Sequence, residues 1–254
     1  MAFRNQKIFD AHFHIIDPRF PLVPNRGYLP DRYTINDYRD RTKEYDIRGG
    51  ALVSGSFQAF DQDYLVDALS HLGPGFVGVT QLPVTVSDEE ILELDKAGVR
   101  AVRFNLKRGG SESVSYLDSL ARRVHELSGW HTELYADAGD LEDLVPVLTA
   151  LPAVCIDHLG LSAKGFKILL NLAEQGVQVK ATGFGRVDFD VSEALKALYA
   201  ANPVCLMFGT DLPSTRAKRP FSDRDYQLVG DSLGEQAVER VFWSNAVRFY
   251  RLAH

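Results

Sequence analysis

The chain has 254 residues, with 28 Lys and Arg against 34 Asp and Glu, a net charge of −6. That acidic balance lacks the basic field a nucleic acid requires, and no stretch reaches the ~18 apolar residues of a membrane span. The first apolar run begins at Ile8, leaving no room for a secretory leader, so the chain reads as cytoplasmic.

Eight apolar, β-type runs recur along the chain: 7–14, 50–56, 76–82, 99–106, 131–136, 153–159, 177–183 and 204–211. Most are apolar almost throughout, as strands buried on both faces should be. The first is followed by a long loop stiffened by Pro18, Pro21, Pro24 and Pro30, with no Gly-rich phosphate turn. Amphipathic segments lie between the later runs. SDEEILELDKAG has Ser87 and Glu90 spaced as a capping box and Gly98 as a stop. SVSYLDSLARRVHELSG places apolar residues on one face and ends at Gly129. DLEDLVPVLTAL, KGFKILLNLAEQG and DVSEALKALYAAN read as further helices, and two or three short helices are expected after Ser222. Cys155 and Cys205 sit inside apolar runs and read as buried, inert thiols. Eight βα alternations in this length predict one α/β domain over residues 1–254, a (β/α)8 TIM barrel.

A barrel site is expected at the C-terminal ends of its strands. The first run ends His12-Phe13-His14, and residues two apart on a strand share a side. The sixth ends Asp157-His158 and the eighth Gly209-Thr210-Asp211. Asp157 reads as a buried hydrogen-bond acceptor. Arg103 alternates in phase with Ala101 and Asn105, which aims a fixed cation at the barrel mouth. His131 begins the fifth run, at the opposite end of the barrel.

FDAHFH, VRAVRFN, IDHLG and FGTDLP, in that order, resemble the amidohydrolase-related family of the amidohydrolase superfamily. Within it the chain is similar to the lactonase branch, which holds 2-pyrone-4,6-dicarboxylate lactonase and sugar lactonases. The resemblance implies a lactone hydrolase. Asp211 would be the general base, and His12, His14 and His158 would bind metal or hold the developing oxyanion. Arg103, Arg108 and Arg186 would grip substrate carboxylates, with Tyr135 facing them. Arg108 and Arg186 read equally as solvated loop charges. Tyr28 is a loop-packing residue or a cover over ligand, and Ser56 is a candidate hydrogen-bond donor. Tyr135 stands where binuclear members carry a fifth-strand His, and strand four ends Arg103-Phe104-Asn105 without Lys or Glu. A two-metal centre is therefore not expected. No cofactor, or one zinc or manganese ion on His12, His14 and Asp211, remains. The expected partner is a small-molecule lactone or carboxylic acid, with no nucleic acid or membrane; a homo-oligomer is compatible. A mononuclear-metal decarboxylase and a non-catalytic carboxylate-binding barrel are the alternatives.

Overall fold

A computed structural model describes residues 6–252. The strands are β1 Lys7–Phe13, β2 Asp46–Val53, β3 Phe76–Thr80, β4 Val99–Asn105, β5 His131–Tyr135, β6 Val154–Ile156, β7 Gln178–Ala181 and β8 Leu206–Phe208. The helices are α1 Ile35–Thr42, α2 Asp63–Leu72, α3 Asp88–Lys96, α4 Leu117–Ser128, α5 Val145–Ala150, α6 Phe166–Glu174, α7 Val191–Ala201, α8 Asp223–Leu233, α9 Glu235–Glu239 and α10 Asn245–Phe249. All eight strands pair in parallel and in chain order. The seam between the last and the first is joined just beyond β8: Asp211 N–H donates to His12 O and His14 N–H to Leu212 O, both at 2.7 Å. Gly209 permits that approach, because a Cβ there would lie 2.7 Å from His12 N. The architecture is the expected TIM barrel.

Two apolar clusters follow from strand alternation. Phe9, Ala51, Val53, Val77, Val79, Ala101, Cys155 and Met207 fill the barrel interior. Their neighbours, such as Leu52, Val102, Phe104 and Leu134, pack outward against the helices. Tyr250 closes the floor, with its ring 5.1 Å from that of Phe9. Both cysteines are free and buried. No helix among the described residues is long and apolar enough to cross a membrane.

Several local details differ from expectation. Strand β2 begins at Asp46, four residues early, because the Gly49–Gly50 pair lets the backbone pass close to β1 and to Gly75. The unanticipated α1 is started by a capping box between Thr34 and Asp37. In α3 only the Ser87 half of the box forms, accepting from Glu90 N–H. The segment 141–150 splits into a 3-10 turn and α5, with Pro146 in the first turn of α5. Strands β6 and β8 end early, so His158 and Asp211 stand on turns beyond them.

Candidate active site

Strand β1 carries a register irregularity between Asp10 and Phe13. Phe13 still packs outward, stacked on Tyr38, while His12 and His14 turn into the mouth with ring centroids 5.0 Å apart. His14 Nδ1 lies 2.7 Å from Val53 O. A carbonyl only accepts, so Nδ1 carries the proton and Nε2 the lone pair. His158 and Leu159, on the turn after β6, both adopt left-handed backbone angles, φ 52° and 51°. Asp211, after β8, has φ 60°. Such conformations cost energy in non-glycine residues and persist where surrounding contacts fix them.

The four side chains converge. Asp211 Oδ2 accepts from Arg186 Nε at 2.7 Å. Asp211 Oδ1 has no hydrogen-bond partner. It lies 4.0 Å from His12 Nε2, 3.9 Å from His14 Nε2 and 4.0 Å from His158 Nε2. All four residues are buried. Burial pushes the pKa of His12 below the usual imidazole range, and those of His14 and His158 well below it. At neutral pH the rings are uncharged.

The donor set fits one small divalent cation. His12, His158 and Asp211 each offer a ligand atom within 4.8 Å of the others. This compact set differs from the expected one: His158 joins His12 and Asp211, and His14 Nε2 approaches from beside Asp211. His12 Nε2 and Asp211 Oδ1 are buried without partners, a state that costs free energy unless a cation or donor meets them. Imidazole nitrogen with carboxylate oxygen suits zinc or manganese. One expectation changes here. Neutral His14, with a lone pair on Nε2, cannot donate to an oxyanion; it can only face a cation or a donor.

Beneath these residues lies a buried charge network. Asp157 Oδ2 accepts from Arg103 Nε and Nη2, at 3.1 and 2.7 Å. Asp157 Oδ1 is 3.4 Å from His12 Nδ1 and 3.6 Å from Lys180 Nζ. Lys180 pairs with Glu133, which also meets His131 at 3.0 Å and the Tyr250 hydroxyl at 2.6 Å. Asp157 is the expected acceptor. Lys180 and Glu133 are additions, hidden in the sequence because each is a lone charge in a strand run. A second group of potential metal ligands, His12, Glu133 and Asp157, surrounds the Lys180 ammonium, so the chain supplies its own cation there.

A cleft of about 350 Å³ opens above His14 and His158. Arg103, Arg108, Arg186, Tyr135 and Ser56 all line it. Arg103 reaches its floor with three donor contacts already spent on Asp157 and on Ser54 O, the last at 2.9 Å. The Tyr135 ring meets His158 edge-on at 4.9 Å and lies under the Arg103 guanidinium. Tyr28 does not line the cleft; its ring lies 4.2 Å below the guanidinium of Arg216. Arg216, in the loop after β8, is a cleft residue that strand-end reasoning does not reach. His131 sits at the barrel floor, against Phe249 and Tyr250.

Gly183, after β7, has φ 61°, and a Cβ there would lie 2.6 Å from His158 Nδ1 and 2.9 Å from Arg186 Cδ. Gly183→Ala should therefore displace both side chains. A misplacement near 1 Å costs about 100-fold in rate, so kcat/KM should fall by at least tenfold, and the alanine at φ 61° should also lower the thermal midpoint. Unchanged kcat/KM would place His158 and Arg186 outside the chemistry.

A parallel barrel here gathers three imidazoles and one carboxylate at its mouth, the donor set of a metal-binding barrel centre. The chain belongs to the amidohydrolase family, whose model, described as Amidohydrolase, matches residues 9–252. It is 33% identical to a 2-pyrone-4,6-dicarboxylate hydrolase of Comamonas testosteroni over 162 residues, 59% of this chain and 51% of that protein. The chain thus aligns with about half the length of that relative. It is 28% identical to a 4-sulfomuconolactone hydrolase of Rhizobium radiobacter, over 81% of this chain and 75% of that one. A Pseudomonas putida structure assigned as a 2-pyrone-4,6-dicarboxylic acid hydrolase superposes with a TM-score of 0.80 at 27% identity, covering 96% and 97% of the two chains.

Proposed function

We propose that this protein hydrolyses a lactone bearing carboxylate or a similar anion, with 2-pyrone-4,6-dicarboxylate as the type of substrate. The observation that carries the reading is the free Asp211 Oδ1, ringed by three neutral imidazoles under a cleft lined by four arginines and no carboxylate. Names of the matched relatives support it, since both denote hydrolases of anionic cyclic esters.

Asp211 Oδ1 takes a proton from water, whose oxygen attacks the lactone carbonyl. Arg186 fixes the other oxygen of Asp211, which orients the base. With no ion bound, His158, which faces the cleft beside Asp211, is placed to polarise the carbonyl through Nε2–H. As the ring C–O bond breaks, Asp211 returns the proton to the leaving oxygen. An ion held by His12, His158 and Asp211 would supply positive charge for the developing oxyanion. Arg108 and the outer face of Arg186 bind the substrate's anions.

A panel of lactones, assayed with elemental analysis of the purified protein, tests this. Ring opening with proton release and no CO2 is expected, with at most one ion per chain. Release of CO2 from an unsaturated acid would favour decarboxylation instead. Two tightly bound ions would overturn the single-centre reading.

A further inference from the structure

The four cleft arginines are not equivalent. Arg186 is paired with Asp211 and Arg103 with Asp157, so each inner cation has a carboxylate of its own. Among the described residues, Arg108 and Arg216 have no carboxylate partner. The uncompensated positive charge among the four cleft arginines therefore belongs to Arg108 and Arg216. Arg216 is also built into place. Its Nη1 donates to Asn25 Oδ1 at 2.9 Å and its Nη2 to Asn25 O at 2.8 Å. The Tyr28 ring supports its flat face at 4.2 Å. Asn25 in turn donates to Arg108 O at 3.2 Å, which ties the two arginine loops together. Arg216 Nε is buried and has no partner. Both arginines also line an adjoining outer cleft of about 740 Å³, with Lys218, Asp188 and the paired Lys107 and Asp137.

We infer that Arg216 is a specificity-determining residue, forming with Arg108 a subsite for an anionic substituent remote from the attacked carbonyl. The inference rests on the lactonase reading and deepens it by assigning the residue that reads the second anion of such a substrate. An aligned Arg held by stacking and backbone contacts binds carboxylate with little further loss of side-chain freedom. Asn25 and Tyr28 of the long first loop are then positioning residues, which gives that proline-stiffened segment a task.

The test uses the full chain and two non-hydrolysable probes, benzene-1,3-dicarboxylate and benzoate, measured by calorimetry. Wild type should bind the dicarboxylate more tightly than benzoate. Arg216→Gln should weaken dicarboxylate binding about 10- to 100-fold, the worth of a charged hydrogen bond, and leave benzoate unchanged. In turnover it should raise KM for 2-pyrone-4,6-dicarboxylate with kcat nearly constant, and spare an uncharged 2-pyrone. Tyr28→Leu should give a smaller loss of the same kind. No preference for the dicarboxylate in wild type, or equal losses for both probes, would overturn the inference. If no lactone is turned over while the Arg216-dependent preference persists, the proposed activity falls and the subsite stands.

Discussion

Asp211→Asn should lower kcat for an anionic lactone by about 10²- to 10⁴-fold, the usual contribution of a positioned general base. Asn keeps the size and most of the hydrogen-bonding capacity of Asp, so the left-handed turn and the contact with Arg186 Nε can survive. The proton acceptor cannot. Substrate binding should move the other way. Arg186, now facing a neutral amide, presents its full charge to the cleft, so binding of benzene-1,3-dicarboxylate should hold or tighten. A fall in kcat with unchanged or lower KM is the signature of an interaction made in the transition state. Metal content measured on the same sample separates loss of the base from loss of an ion. A kcat within threefold of wild type would remove Asp211 from the mechanism.

The barrel was legible because each strand is a short apolar run between turn residues, and burial on both faces leaves few other readings. The convergence of His12, His14, His158 and Asp211 was legible from strand ends. The local geometry that achieves it was not. His158 and Asp211 reach the centre from left-handed turns past β6 and β8, and a bulge in β1 re-aims His12. Backbone irregularity of that kind leaves little trace in hydrophobic periodicity. The compact ligand set therefore included His158 where the family resemblance implied His14. Arg103 pointed inward as its phase with Ala101 implied, yet its charge meets Asp157, a partner 54 positions away that no local pattern reveals. Arg216 escaped for a different reason: it lies in a loop of mixed polar residues, where position depends on Asn25 and Tyr28 at the other end of the chain.

The largest stability effect is expected at Lys180. Its side chain is fully buried at the barrel axis, between Glu133 and Asp157. Removing one member of a buried ion pair costs about 3–5 kcal/mol, because the other charge is left without compensation. Lys180→Met should cost that amount, a large part of the ~5–15 kcal/mol that holds a domain together. Adding Glu133→Gln should recover much of it, since the pair is then removed as a neutral unit and Arg103 still compensates Asp157. Acid provides a second, signed test. In wild type, burial alone would raise the Glu133 pKa, but Lys180 holds it down to about 2. That depression stabilises the fold above the ordinary carboxylate pKa of 4.5 and is lost as pH falls toward 2. Without Lys180 the strongest lowering influence is gone, and burial together with the Asp157 charge raises the Glu133 pKa against the remaining hydrogen bond to His131. The folded state then binds the proton more tightly than the unfolded chain, so this group gains stability on acidification. The gap between wild type and Lys180→Met should accordingly narrow between pH 7 and pH 4 in urea unfolding. A gap that stays constant with pH, or a double variant no more stable than the single one, would mean that Lys180 acts through packing and not through its charge.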